Sequence, residues 1–155
     1  MEKGNLRRID RAVTIDEAKN QLRTGVYGIL STASIDGQPY GIPINYCYAD
    51  DVIYFHSALE GHKIDNISDN NRVSFCVTGN VEILSEQFAT KYESVIVFGK
   101  VSEVFGHEKH TALIHLLLKY SPSFMEQGFK YIEDAGGKAR TFKISVDSIT
   151  GKSRK

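Results

Sequence analysis

Ser57, Gly61, His62 and Lys63 stand within seven positions and supply a hydroxyl, a flexible backbone position and two potential cations. That set suits an anion. The run before it, Val52-Ile53-Tyr54-Phe55, is β-branched and aromatic and predicts a strand. After it, Ile64 and Ile67 recur one helical turn apart and predict a short helix with a buried stripe. A strand-to-helix junction presents unpaired N–H groups and the positive end of a helix dipole, to which Ser57 and Lys63 add a hydroxyl and a charge. Together these describe a phosphate site. The stretch is neither a Walker A loop nor a G-x-G-x-x-G turn, and local sequence alone leaves a plain surface turn with solvated His62 and Lys63 as the alternative. His56 directly precedes Ser57. At a strand end beside an anion loop its imidazole sits at the mouth of a pocket. There it donates a hydrogen bond or passes a proton to a bound molecule, or else only braces the loop.

Other reactive residues point to less. His107 and His110 are one helical turn apart, but His115 falls on another part of the helix surface and no fourth ligand is in view, so no metal is expected. Cys47 and Cys76 are too few and too far apart for a zinc ribbon and read as buried free thiols. Ser57 lacks a Gly-x-Ser-x-Gly setting, which argues against a hydrolase. Leu113, Leu116, Leu117 and Leu118 read as core or dimer surface.

The scaffold for these groups has 155 residues, enough for a single domain, residues 1–155, with a real core. Lys+Arg and Asp+Glu each number 19, so the net charge is zero. A nucleic acid partner is therefore not expected, and no net repulsion opposes self-association. No apolar run reaches signal-peptide or membrane-span length, and the expected location is cytoplasmic.

Residues 1–13 read as a polar, basic arm. Thr14-Ile15-Asp16-Glu17 is a capping-box pattern that opens a helix to about residue 22. A strand over 26–34, an Asp36-Gly37 turn and a return strand over 39–48 follow. Pro39 and Pro43 cannot donate to a ladder, which makes the return strand an edge or interrupts it. After the helix closing near 69–71, a strand spans 72–78. Residues 79–92 read as a long connection crossing the sheet, and 93–105 as a strong strand. Gly99 within it marks a bulge or a close approach. Helices over 107–120 and from Pro122 to about 132, a loop at 134–137, a last strand over 140–146 and a basic tail at 151–155 complete the chain. About six strands joined mostly by tight turns predict a mainly β protein, an antiparallel β-barrel with flanking helices.

The early strand with Asp36-Gly37 is followed in order by Gly41-Ile42-Pro43-Ile44-Asn45-Tyr46, Tyr54-Phe55-His56-Ser57, Gly61-His62-Lys63 and Ser94-Val95-Ile96-Val97-Phe98-Gly99. With the ending Ile144-Ser145-Val146-Asp147-Ser148-Ile149-Thr150-Gly151-Lys152, this series resembles the pyridoxamine 5′-phosphate oxidase-like flavoproteins, and most of all their nitroimidazole-resistance branch. The resemblance implies an FMN-binding split barrel and a homodimer with FMN sites at the subunit interface. It implies that Pro43, Ile44, Asn45 and Tyr46 lie along the isoalloxazine ring. His56 and Ser57 would lie near the ribityl chain and phosphate, and His62 and Lys63 would hold the phosphate. Ser94 would contact the flavin, and His56 would face the substrate side. The chain departs from the family in two places. The basic pair is usually Arg-Lys, and here it is His62-Lys63, with histidine only partly charged at neutral pH. The Arg-rich C-terminal signature of the true vitamin oxidase is not evident, so pyridoxamine phosphate is not the expected substrate.

The reading that follows is an FMN-dependent oxidoreductase reducing a small organic acceptor, nitro-aromatics included, with His56 as its catalytic side chain. The alternatives are a non-catalytic module of the same fold holding a flavin, haem or deazaflavin, and a structural dimer.

Overall fold

A computed structural model of the chain describes residues 6–135 and 138–155. Its helices are α1 (Ile15–Thr24), α2 (His62–Asp69), α3 (Gly106–Tyr120) and α4 (Met125–Ala135). Its strands are β1 (Gly28–Ala33), β2 (Pro39–Ile44), β3 (Cys47–Ala49), β4 (Val52–Ser57), β5 (Arg72–Leu84), β6 (Ala89–Val104) and β7 (Arg140–Arg154). All seven strands form one antiparallel sheet in the order β2-β1-β5-β6-β7-β4-β3.

The two edges of that sheet, β2 and β3, are consecutive in the chain, with only Asn45 and Tyr46 between them. Two residues bridge at most about 10 Å, so the sheet curls enough to bring the end of β2 near the start of β3. The ladders themselves do not close a ring among the described residues. The expected return strand over 39–48 is thus two strands, and the count is seven rather than six. The break has a clear cause. Tyr46 turns into the core, where it is fully buried. Its hydroxyl donates to the Leu22 carbonyl (2.5 Å) and its N–H donates to the Tyr120 hydroxyl (3.0 Å). Those bonds pull the chain off β2.

Residues 79–92 do not cross the sheet. β5 and β6 continue as a long hairpin through a register slip between Gly79 and Glu82, with Phe88 in the left-handed region at its tip (φ 49°). The slip hides the strand alternation of Val81 and Ile83 from a periodicity reading. The last strand likewise runs on to Arg154. It pairs first with β4 and then along β6, and a bulge at Asp147 shifts it by one residue opposite Phe98 and Gly99. The expected basic tail is therefore largely ladder. Gly99 meets both halves of its expectation: a side chain there would bring a Cβ within 2.3 Å of the Ser145 carbonyl oxygen.

The helices follow the sequence closely. The Thr14–Glu17 capping box forms, with Glu17 N–H donating to Thr14 Oγ1 (3.2 Å) and Thr14 N–H to Glu17 Oε2 (2.8 Å). α1 runs on to Thr24. α2 buries Ile64 and Ile67 as the spacing implies. α4 begins after a short 3-10 turn at Pro122–Phe124 and takes in Asp134 and Ala135, expected as loop. Gly136 and Gly137 of that loop lie outside the described residues, as do residues 1–5 of the expected arm. Farther along the arm, Val13 N–H donates to the Gly151 carbonyl (3.1 Å). The core between sheet and helices centres on Leu22, Leu30, Tyr46, Phe55, Phe75 and Ile144, all at most 0% exposed. No described helix is long and apolar enough to cross a membrane.

The outer face of the sheet is unusually apolar. Ile29 on β1, Cys76 on β5 and Ile96 on β6 form one cross-strand row. Pro43 on β2 extends that row and Phe98 stands beside it. Ile29, Ile96 and Phe98 are 37%, 40% and 38% exposed.

Candidate functional site

Four of the candidate residues, Pro43, Ile44, Asn45 and His56, gather near the connection between the two edge strands. Tyr27, Pro43, Ile44, Asn45 and His56 line a cleft of about 570 Å³. β2 pairs only with β1, so its outer backbone edge faces this cleft side unpaired by any ladder. The two prolines sit on this edge strand, where a missing N–H disrupts least. On the far side of Asn45 and His56 lies a second chamber of about 240 Å³, between α3 and α4. Leu113, Leu116 and Leu117 of α3 line it together with Ile132 of α4.

His56 stands near the end of β4, opposite Thr141 of β7. Partial burial lowers its pKa below the usual 6.5, and the charge of nearby Lys63 lowers it further; both favour the neutral imidazole, although the side chain still reaches solvent. Lys63 is half-buried, and its own pKa is lowered by that burial. Ser57, the last residue of β4, is 7% exposed and lies opposite Arg140. The Arg140 guanidinium is engaged by the Glu103 carboxylate through two bonds, 2.8 and 2.9 Å.

α2 opens at Gly61, whose φ of 143° is the backbone state that glycine tolerates and other residues avoid. No side chain caps this helix. Its first N–H groups are therefore not occupied by a cap, with Lys63 in the first turn. His62 is exposed, and its ring stacks on Tyr40 of β2, 4.4 Å between centroids at 26°. That contact ties the start of α2 to the edge strand.

Ser57, His62 and Lys63 stand outside the cleft's lining, and Tyr46 and Ser94 sit elsewhere. The Tyr46 ring is in the core, edge-on to Phe75 (4.8 Å, 72°), with the Lys119 amine 3.7 Å above it. Its side chain forms no wall of the cleft. Ser94 is paired with Thr78 on the outer face. The register of β1 puts Tyr27 alongside Thr78, so Ser94 lies two strands, about 10 Å, from Tyr27. It belongs to the apolar outer face next to the cleft, outside the cleft's lining.

Sequence reasoning missed Tyr27, which is 54% exposed at the cleft. An aromatic at the start of a strand carries no mark of its outward aim. It also missed Tyr120, whose hydroxyl accepts from Tyr46 N–H and lies 2.5 Å from the Val26 carbonyl and 3.1 Å from that of Tyr46. One side chain of α3 thus fastens the residues next to Tyr27 and Asn45. The cysteines are free thiols, Cys47 buried and Cys76 half-buried. Burial raises the Cys47 pKa to about 11. Among the described residues no cluster of three His, Cys, Asp or Glu side chains is placed to hold a metal ion.

A family profile described as pyridoxamine 5′-phosphate oxidase matches residues 14–153. The chain belongs to that family. An uncharacterized protein of Rhizobium meliloti (strain 1021) is 32% identical over 124 residues, 76% of this chain and 78% of that protein. Among solved structures, a candidate 5-nitroimidazole antibiotic resistance protein of Bacteroides thetaiotaomicron superposes with a TM-score of 0.78 at 25% identity, over 91% of this chain and 85% of that one. A conserved hypothetical protein of Mycobacterium tuberculosis superposes with a TM-score of 0.81 at 18% identity, over 96% and 90%. An FAD-binding protein of Mesorhizobium loti does so at 0.67 and 24% identity, over 94% and 98%. The fold is that of this family, and one of these relatives is described as binding a flavin.

Proposed function

We propose that the chain, read as one split-barrel domain, binds FMN in the cleft and acts as an oxidoreductase toward a small organic acceptor. The observation that carries this reading is the juxtaposition of two features. One is a cleft walled by the edge residues Pro43, Ile44 and Asn45; the other is an uncapped helix start carrying Lys63, whose charge is felt by the cleft residue His56. An isoalloxazine ring needs a flat, mostly apolar wall and backbone hydrogen-bonding groups, which a free edge strand supplies. A phosphate dianion needs N–H donors and a cation, which the start of α2, Ser57, His62 and Lys63 supply. When bound, FMN carries the electrons; the protein orients it, excludes water and places His56 beside the acceptor. The likeness to a candidate nitroimidazole resistance protein supports nitro-aromatics among the acceptors.

The protein is further proposed to be a homodimer joined through the apolar outer face. The row Ile29, Cys76, Ile96 runs into Pro43 at the cleft, so a partner covering that face would also cover the flavin site. Ser94 on the same face then meets the flavin from one protomer or the other.

FMN and riboflavin differ by the phosphate alone, which makes the pair a test of the assignment. Lys63→Ala should weaken FMN binding by about 1–3 kcal/mol, the scale of a lost charge-assisted hydrogen bond. Riboflavin should hardly respond. Equal weakening of both in a fluorescence titration would remove Lys63 from the phosphate site.

A further inference from the structure

The 240 Å³ chamber between α3 and α4 shares only Asn45 and His56 with the cleft proposed to hold the flavin. Its walls are aliphatic and aromatic: Leu113, Leu116, Leu117 and Tyr120 from α3, Tyr131 and Ile132 from α4. Its polar lining is Asn45, His56, Lys109 and Ser121, with the hydroxyls of Tyr120 and Tyr131. The Lys109 amine donates to the Ala139 carbonyl (2.9 Å), and of the other polar residues only Asn45 and His56 also line the cleft, so they stand at the end of the chamber that faces it. Both offer N–H donors, an amide and a neutral imidazole. Size sets a further limit, since an apolar cavity of about 150 Å³ takes one benzene. The chamber therefore has room for a single ring with a short substituent.

We propose that this chamber is the binding site of the flavin's reaction partner, a one-ring, mostly apolar molecule whose single hydrogen-bond-accepting group stays at the mouth against Asn45 and His56. The role as reaction partner rests on the flavin reading above; the binding of the ring does not. The ring displaces poorly hydrogen-bonded water from between leucines, which favours entry. The accepting group stays at the cleft end because the donors Asn45 and His56 stand there, whereas leucines line much of the remaining wall and a buried acceptor against them is costly.

Two probes separate the two halves of the idea: toluene, a ring alone, and acetophenone, a ring with one carbonyl. Methyl NMR of Leu- and Ile-labelled protein, with and without added FMN, reads the site directly. Acetophenone should shift methyls of Leu113, Leu116, Leu117 and Ile132. It should bind about 5-fold more tightly than toluene, the range of one net hydrogen bond. Leu113→Phe, which fills the chamber, should weaken both probes at least 10-fold, as loss of the cavity to a bulky side chain implies. Ile132→Phe makes the same test from the other helix should Leu113→Phe not fold. Asn45→Ala should narrow the gap between acetophenone and toluene, and an unchanged gap would remove Asn45 as a donor.

No methyl shift with either probe, or shifts that persist in both filled variants, overturns the proposal. A changed sedimentation coefficient in the filled variants without any effect of the probes overturns it too, and makes the chamber a contact between copies. FMN titration of the same samples keeps the two readings apart. Probe binding without FMN binding sinks the cofactor reading alone, and FMN binding without probe binding sinks the chamber alone.

Discussion

Burial and the charge of Lys63 together set the titration of His56. Burial comes first and the Lys63 charge second in lowering the imidazole pKa below 6.5. The sign matters for chemistry. A neutral imidazole at pH 7 is able to donate one hydrogen bond and to accept a proton, whereas a cation has no lone pair left for a proton. It matters for stability too. The unfolded chain takes up its proton near 6.5 and the folded chain only below that, so the folded state loses stability as pH falls from 6.5 through the lowered value. NMR titration should place the His56 midpoint under 6.5, and Lys63→Ala should move it upward. In flavin-saturated protein, His56→Ala should slow reoxidation by a productive acceptor by about 10²-fold or more while changing FMN affinity little, the mark of a side chain that acts on the acceptor. A midpoint unmoved by Lys63→Ala breaks the coupling, and an unchanged reoxidation rate takes His56 off the catalytic side. At this scale the sequence was informative. Residue types alone put His56, Ser57, His62 and Lys63 at one strand-to-helix junction. Tyr46 was not readable, because an apolar-aromatic run does not tell which way a side chain turns once its strand breaks.

Elements bring the parts together, and α3 does more of this than its leucine spacing suggests. Leu116 and Ala112 bury its inner stripe, but its last residue, Tyr120, decides where the cleft walls stand. The Tyr120 hydroxyl accepts from Tyr46 N–H at 3.0 Å and gives its one proton to the Val26 or the Tyr46 carbonyl. Val26 and Tyr46 flank Tyr27 and Asn45, one on each side of the cleft. Tyr120→Phe keeps the ring packing and removes only these bonds. It should cost about 1–3 kcal/mol of stability, because it leaves partly buried backbone groups unpaired. It should also speed exchange of the Tyr46 amide hydrogen and raise the FMN dissociation constant. Lost stability with an unchanged FMN constant would leave Tyr120 a structural clamp only. No feature of the sequence marks this role, because its hydrogen bonds join residues 74 and 94 positions apart. The helices and most strands were legible because capping and periodicity are local. The β2–β3 break and the β5–β6 hairpin were not, since each depends on a tertiary bond or a register slip.

At the scale of the whole molecule, the sheet has spent its inner face on the core and left a second apolar face outward. An antiparallel sheet normally sets polar residues on its solvent side, yet Ile29, Ile96 and Phe98 stand there at 37%, 40% and 38% exposure. Their strands are central in the sheet order, flanked on both sides by further strands, so this face cannot be an unfinished edge. Zero net charge lets like chains approach without repulsion. A stable dimer needs roughly 1,200–2,000 Å² of buried surface, which a face three or more strands wide can provide. Ile96→Glu puts a carboxylate at the centre of the face and leaves the core side of β6, Val95 and Val97, untouched. The protein should sediment at twice the chain mass at micromolar concentration, and the variant at the chain mass with its circular dichroism unchanged. If both protomers build the flavin site, the variant should also lose FMN affinity, by more than tenfold if the partner supplies even one well-made charge-assisted bond. A folded monomer that binds FMN as tightly as the parent would leave the dimer standing and remove the shared site. A wild-type protein that sediments as a monomer would remove both.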